Sequence, residues 1–504
     1  MKARVGATLA FLVLAAMIAG WLGSTYIARL SDHAGFWLVP VEDHVAVPLA
    51  HKPRRTVVIL VDGLRRDSAE TMRVTKTLEA AGQCRISDQG SWTVSRPVYA
   101  LLSTGVEVDR SGARNNELTA PLAAESIWAV LRKHGYRVVG SSHLPWFAQL
   151  FPEGFDRFDT MEAHALDVFT APLADVSLYH PLYVDAAGHH FGGVSREYDA
   201  AVKRADTEIA RLLEQVDLKQ DLVIFTADHG HLDRGGHGGT EPEVAKVLAC
   251  FAGPMVAHRN DRPTFDARTM AASIALFLGV PFPRHMRAGE DRLDDVFSLV
   301  DLPMDEAYLA DRRAAVAHFR EENARVLAGW LGSAPGAWSR LYARESAHHD
   351  GRLAVATIVL VGLLAVRLRR QPAKAWLWLA FACFALWVSH RLILGTFEFS
   401  AINLKERFVP KAFATVFLAA LATTVAHRAF FPPRSRRPFA ADQVTLVGVL
   451  LFVNLAHVLV YGWPLGFPLP SAAMRYLPFI ASFAVVGNAA IGLVAVVRAP
   501  RSRA

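Results

Sequence analysis

Residues 226–239, TADHGHLDRGGHGG, gather His229, His231 and His237 with Asp228 and Asp233 among five glycines. Two other segments are built alike. Asp62 closes the apolar run VILVD, and Asp185 closes LYVD four residues ahead of His189 in DAAGHHFG. Carboxylate oxygen and imidazole nitrogen make a ligand set suited to Zn²⁺ and similar divalent metals. One aspartate after a strand is more often a turn or capping residue. Three such aspartates, two of them followed by histidine, point instead to a metal centre. Two clusters suggest two metals about 4 Å apart, a clamp for the attacking and leaving oxygens of a phosphoryl displacement.

Such a centre calls for a hydroxyl nucleophile between the first and second metal-bearing segments. GSWTVSRPVYALLSTG (90–105) supplies Ser95 just before RPVYALLS, a helix whose N-terminus favours an anionic phosphate. A serine in that place is commonly only an N-cap, and Thr93 competes with it as nucleophile.

These residues need a scaffold that brings distant segments to one edge. RTVVILVDG (55–63) is a continuous β-branched run of the kind found in a parallel sheet covered on both faces. Further strands are expected around 84–88, 136–142, 177–185, 221–228 and 245–253, alternating with helices over 68–82, 123–135, 195–216 and 268–283. Alternation of this kind predicts an α/β sandwich with a mostly parallel central sheet. In that reading Asp62, Asp185 and Asp228 each stand at the carboxyl end of a strand, where open α/β sheets bind ligands.

The remainder of the 504 residues reads as membrane. Mean hydropathy is +0.23, and residues 6–24 form an uncharged apolar stretch behind Lys2 and Arg4. It is long enough to span a bilayer and lacks a small-residue cleavage site, so it reads as a retained signal anchor. Five more apolar stretches follow, near 352–368, 375–395, 409–426, 443–462 and 476–497. The first is short, and its Arg352 and Arg367 must snorkel to the interface. The arginine clusters of 367–374, 427–440 and 498–504 fall on one side of the six spans. That places both termini in the cytoplasm and residues 31–350 outside it. The expected organisation is an anchor (1–30), an exported catalytic domain (31–304), a helical connector (305–350) and an α-helical membrane domain of five spans (351–504).

Residues 31–350 hold 34 Lys and Arg against 44 Asp and Glu, so the overall charge of +7 comes from arginines flanking the membrane. Nucleic-acid binding therefore gains no support from the basic balance. Cys84 and Cys250 lie in the exported part, where a disulfide is permitted and two buried thiols are equally compatible; Cys383 lies in a span. His390, Asn454 and His457 sit within or at the ends of spans, where polar groups are either functional or bonded between helices.

In order along the chain, ILVDGLRRD, TVSRPVYALLSTG, DAAGHHFG, DHGHLDRGGHGG and SIALFLGVPFP resemble the successive motifs of the alkaline phosphatase superfamily. Within its nucleotide pyrophosphatase/phosphodiesterase-like branch, the resemblance is to GPI ethanolamine phosphate transferases, above all the type acting on the first mannose. The layout of anchor, exported domain and multi-span carboxyl half is similar, with a much shorter membrane half here. The resemblance implies one metal, zinc in the family, on Asp185, His189 and His237, and a second on Asp62, Asp228 and His229. It makes Ser95 the nucleophile touching that second metal and forming a covalent phospho-enzyme, and sets Asn116, or its neighbour Asn115, against a phosphate oxygen. His190 is the alternative to His189, and His231 is read as supporting a ligand or as solvated. The implied activity is phosphoethanolamine-type transfer involving a lipid-linked substrate, with a hydrolytic phosphodiesterase using water as the alternative. A sulfatase would need arginine where Tyr99 stands in SRPVY, which argues against that chemistry.

Overall fold

The computed structural model describes residues 2–30, 52–160, 173–286, 294–301, 306–331, 351–369, 371–395, 405–431, 439–461 and 472–498, and the single positions 40 and 400. The chain divides into two compact units, Ser31–Ala337 and a second made of Met1–Leu30 with Trp338–Ala504.

The first unit is built on eight strands: β1 (Thr56–Leu60), β2 (Gly82–Asp88), β3 (Val138–Ser142), β4 (Arg157–Thr160), β5 (Val176–His180), β6 (Leu222–Thr226), β7 (Lys246–Ala252) and β8 (Thr264–Asp266). They form one sheet in the order β4-β3-β5-β1-β6-β7-β2-β8. The five strands from β4 to β6 are parallel, whereas β7 runs antiparallel to both β6 and β2. β1, β5 and β6 are buried along their whole length, which is why β1 and β6 read as nearly continuous apolar runs and not as alternating ones. One face packs against helices Ser95–Thr104, Ile127–Lys133 and Met270–Leu278, the other against Arg73–Ala81 and Arg196–Leu213. Cys84 and Cys250 face each other across the β2–β7 ladder and are joined as a disulfide.

The expected α/β sandwich is present, with two differences at its margins. The helix expected over 68–82 is two pieces, Arg66–Ala69 and Arg73–Ala81, and the short edge strands β4 and β8 carry too few residues to leave a periodic signal.

In the second unit, five helices are long and apolar enough to cross a membrane: Val5–Thr25, Ala373–Ile393, Phe408–Phe430, Phe439–Leu459 and Ile480–Val497. The protein is an integral membrane protein. The stretch expected to be a sixth span is helical, Gly351–Arg369, but falls outside that set. Between Arg352 and Arg367 only 14 residues are free of charge, short of a bilayer's width. Its Arg367 folds back to donate to Thr445 Oγ1 at 3.0 Å and to the Ala441 carbonyl. Leu12, Ala19, Trp378, Val447 and Val485 form the interior of this bundle, while Met17, Ile358, Leu392 and Phe417 face outward. Asn454 Nδ2 donates to Ser482 Oγ on another helix at 2.7 Å, the interhelical bond that a buried amide in a membrane seeks. His390 and His457 are likewise buried. Most loops that carry the arginine asymmetry, and residues 332–350 of the connector, lie outside the described residues.

Candidate active site

Register brings the first two carboxylates together. Leu60 of β1 pairs with Thr226 of β6 in a parallel ladder, and each strand continues two residues to an aspartate. Asp62 and Asp228 therefore leave the carboxyl edge of the sheet side by side. On the other flank of β1, β5 stops at His180 because Pro181 cannot extend the ladder. The Pro181 carbonyl instead accepts from Asp62 N at 3.1 Å. Here the sequence reading needs correcting: Asp185 does not end a strand but lies in the first turn of the helix Tyr183–Phe191. Residues four apart share a helix face, so His189 stands over Asp185. Gly63, at φ +70°, lets this helix close on the sheet edge, since a Cβ there would lie 2.6 Å from Asp185 Cα.

Two groups of ligand atoms result. Asp62, Asp228 and His229 converge, with His229 Nε2 3.2 Å from Asp228 Oδ2 and 3.6 Å from Asp62 Oδ1. Beside them, His189 Nε2 lies 3.4 Å from Asp185 Oδ1 and 3.0 Å from His237 Nε2, which is itself 3.7 Å from Asp185 Oδ1. The stacked rings of His229 and His237, 3.7 Å apart at their centroids, join the two groups. Asp185 also forms possible metal-holding groups with His229 and His237, and with His189 and His231.

The donor chemistry fits divalent cations. His229 Nδ1 is 3.1 Å from the Gly230 carbonyl and His237 Nδ1 is 2.8 Å from the Thr93 carbonyl. A carbonyl only accepts, so both Nδ1 atoms carry the proton and both Nε2 atoms present lone pairs. Asp62 Oδ1 and Asp228 Oδ2 are buried with no hydrogen-bond donor among the described residues. Lone pairs thus face carboxylate oxygens, an arrangement that a cation resolves. Burial lowers His229 to about 4 and holds His237 far below its ordinary value, with the neighbouring His229 adding to the latter. Burial and then the nearby Asp62 push Asp228 well above the usual carboxylate range. Burial opposes ionisation of Asp185 too, but the bond from His231 and the histidines around it hold that carboxyl low.

Ser95 is the first residue of its helix, with Val94 in the capping position, so the simple N-cap reading of Ser95 does not hold. Its Oγ lies 3.2 Å from His229 Nε2. Thr93 is engaged elsewhere: its hydroxyl donates to the Gly239 carbonyl at 2.8 Å and accepts from Gly238 N at 2.9 Å. Asn116 Oδ1 accepts from Arg96 N at 2.9 Å, beside Ser95, which leaves its Nδ2 donors without a protein partner among the described residues. Asn115 Oδ1 accepts from Glu117 N at 2.9 Å. His190 is exposed.

His231 is fully buried, which excludes the solvated reading. Its Nδ1 accepts from Gly236 N at 3.2 Å, so Nε2 donates to Asp185 Oδ1 at 2.9 Å. Sequence reasoning missed three supports. Tyr99 donates to Asp62 Oδ2. His180, tied to Ser142 Oγ at 2.8 Å, brings Nε2 to 3.3 Å from the same oxygen. Arg65 braces the glycine-rich loop through the His231 carbonyl at 2.9 Å and Asp233 at 2.7 Å. The position of His180 before Pro181, at the end of an apolar strand, is the one signal that pointed to it.

A sulfatase family model matches residues 136–264, the segment carrying Asp185, His189, Asp228, His229 and His237. The domain is sulfatase/alkaline-phosphatase-like. GPI ethanolamine phosphate transferase 1 of Yarrowia lipolytica is 27% identical over 245 residues, 38% of this chain and 26% of that protein. The human GPI ethanolamine phosphate transferase 1 is 24% identical over 307 residues, 47% of this chain and 32% of that protein. The similarity thus spans only a quarter to a third of these curated relatives. Among solved structures, murine ectonucleotide pyrophosphatase/phosphodiesterase 5 aligns over 49% of this chain and 100% of its own at 12% identity and a TM-score of 0.41. The alkaline phosphatase PafA aligns over 51% and 100% at 11% identity, also with a TM-score of 0.41. Of the eight residues expected at the site, Asp62, Asp228 and His229 converge and Ser95 lies against His229, with Asp185, His189 and His237 grouped beside them.

Proposed function

We propose that the protein is a membrane-bound, metal-dependent phosphoryl-group transferase that works through a covalent phospho-serine on Ser95. The reaction we infer is phosphoethanolamine-type transfer to or from a lipid-linked substrate, outside the cytoplasm and with both termini inside it. The observation that carries the reading is Ser95 Oγ against His229 Nε2, which itself converges on Asp62 Oδ1 and Asp228 Oδ2, two buried carboxylate oxygens without a hydrogen-bond donor among the described residues. Similarity to GPI ethanolamine phosphate transferases and the membrane helices support the substrate class. The Cys84–Cys250 disulfide supports an oxidising compartment for the domain. The helix Gly351–Arg369 has a short uncharged stretch, but its 19 residues, the outward-facing Val355, Ile358 and Leu363, and an Arg367 bonded to Thr445 support a sixth crossing.

In this reading Asp62, Asp228 and His229 hold one divalent metal, and Asp185, His189 and His237 hold a second, both zinc. Bound metal supplies charge neutralisation and lowers the hydroxyl pKa of Ser95 toward the working pH. The chain's own residues do the rest. His229 and His237 are kept in the ligating tautomer by the Gly230 and Thr93 carbonyls. The N-terminus of the helix Ser95–Thr104 and the free amide of Asn116 face the phosphoryl oxygens. Ser95 Oγ forms its bond to phosphorus as the bond to the leaving oxygen breaks, and an acceptor hydroxyl then takes the phosphoryl group from Ser95.

The test is the mass of the adduct on Ser95 in an acid-trapped enzyme incubated with phosphatidylethanolamine. A phosphoethanolamine adduct is expected. A bare phosphate or nucleotidyl adduct from other donors would assign a different activity, and an adduct on Thr93 would overturn the nucleophile.

A further inference from the structure

Tyr99 occupies the place in SRPVY where a sulfatase would need arginine. It follows Ser95 by four residues on one helix, so the two side chains share a face. Ser95 Oγ lies 3.2 Å from His229 Nε2, and the Tyr99 hydroxyl donates to Asp62 Oδ2. His180 Nε2 stands 3.3 Å from the same oxygen, on a ring edge-on to that of Tyr99. The Tyr99 ring is itself fixed, fully buried and stacked on Phe147 with centroids 4.6 Å apart.

The two carboxylates of this group are divided in the same way. Asp228 Oδ1 accepts from Gly63 N and His229 N, both at 3.0 Å, while Oδ2 has no donor among the described residues. In Asp62 a side chain does what the backbone does for Asp228: Oδ2 is engaged by Tyr99, and Oδ1 has no donor among the described residues. His229 Nδ1 is spent on the Gly230 carbonyl. Each residue therefore keeps one atom back, and His229 Nε2 is 3.6 Å from Asp62 Oδ1 and 3.2 Å from Asp228 Oδ2. Three protein atoms are one fewer than a four-coordinate divalent ion takes, as in catalytic sites and unlike closed structural ones. A carboxylate that turned both oxygens to the ion would fill the remaining place.

We propose that Tyr99 is a positioning residue: its bond to Asp62 Oδ2, backed by His180 Nε2, holds the carboxylate to one-oxygen ligation and keeps a ligand position open for the attacking hydroxyl. The inference rests on the reading of the site as a metal centre for phosphoryl transfer, and it concerns coordination and not metal affinity.

The test uses the full-length protein in detergent, stripped of metal and loaded with Co²⁺, whose visible absorption is strong when four-coordinate and weak at higher coordination. The wild type should show the strong band. Tyr99→Phe keeps the ring against Phe147 and removes only the donor. It should lose the part of the band that one ion contributes while binding as much cobalt as the wild type. Its kcat for bis(4-nitrophenyl) phosphate should fall about 10- to 100-fold, the scale for partners of a metal ligand, with KM near wild type. His180→Leu removes the other group facing Oδ2, should weaken the same band, and carries the test if Tyr99→Phe does not fold. An unchanged band in Tyr99→Phe, or in His180→Leu where Tyr99→Phe does not fold, would overturn the proposal, as would a wild type without the strong band. Spectra need no turnover, so the two readings fail separately. A weakened band together with an adduct on Thr93 supports this role of Tyr99 and rejects Ser95 as nucleophile. An unchanged band with a phosphoethanolamine adduct on Ser95 rejects this proposal and leaves the nucleophile standing.

Discussion

Ser95 Oγ and His229 Nε2 lie 3.2 Å apart although 134 positions separate them in the chain. The contact exists because the helix Ser95–Thr104 starts at the same sheet edge where β6 releases its Asp-His pair. Thr93, the competing hydroxyl, is spent on Gly238 and Gly239. Ser95→Ala should therefore reduce phosphodiester cleavage by about three orders of magnitude or more, as loss of a covalent nucleophile does. Thr93→Val should weaken the enzyme in a way that added zinc partly restores, because the Thr93 carbonyl and hydroxyl shape the loop that carries His237. Side-by-side rates at low and saturating zinc check this; a dead Thr93→Val with an active Ser95→Ala would reverse the roles.

His231 acts on the site through Asp185. With Nδ1 accepting from Gly236 N, its Nε2 proton orients the carboxylate. Partners of this kind are worth about 10- to 100-fold in metal affinity. His231→Ala should lose that much zinc affinity, measured by competition with a chromogenic chelator, while keeping most of its activity at saturating zinc. If the proposed pair of metals is bound, His237→Ala should lose one of them outright. Equal behaviour of the two variants would mean that His231 is itself a ligand.

How much of this could be read in the sequence depended on how local each signal was. The β1 and β6 runs and the aspartates two residues past them were legible because buried parallel strands leave unbroken apolar stretches. D-x-x-x-H at 185 and 189 is legible as a pair, yet the apolar run through Pro181 reads as strand up to Asp185, and only the geometry shows where the ladder stops. The division of labour between Ser95 and Thr93 was not legible, since it depends on what Gly238 and Gly239 do 145 positions away. Tyr99, His180 and Arg65 reach the site from a helix interior, a strand end and a turn. Apart from the place of His180 before Pro181 at a strand end, none has a signal of its own, because its role is set by contacts across the fold.

Gly188 is a sharper test of the packing around His231. A Cβ at that position would stand 2.3 Å from His231 Cδ2, a clash with a ring already fixed at both nitrogens. Gly188→Ala should cost about 1–3 kcal/mol in stability, the range for overpacking a rigid interior, and should lower zinc affinity with it. In a His231→Ala background the same substitution should cost much less, because the obstructing ring is gone. Thermal melts of the four proteins in the cycle measure the coupling; strictly additive losses would show that Gly188 is required for some other reason.

Asp221 should give the domain a pH dependence remote from the candidate site. It opens the β6 edge and accepts from Arg54 at 2.9 and 2.8 Å and from Arg55 at 3.3 and 2.7 Å. Burial opposes its ionisation, but the bonds from Arg54 and Arg55 outweigh that and hold its carboxyl well below the usual range. A carboxyl whose pKa is lower folded than unfolded stabilises fully above the unfolded value of about 4 and loses that contribution as pH falls through the folded one. Asp221→Asn should therefore cost about 2 kcal/mol at pH 7, the scale of hydrogen bonds to a charged group. Below about pH 4 its melting temperature should fall less steeply than that of the wild type, so that the two curves converge in acid. Curves that stay parallel from pH 7 to strong acid would show that the Asp221 carboxylate does not carry this stability.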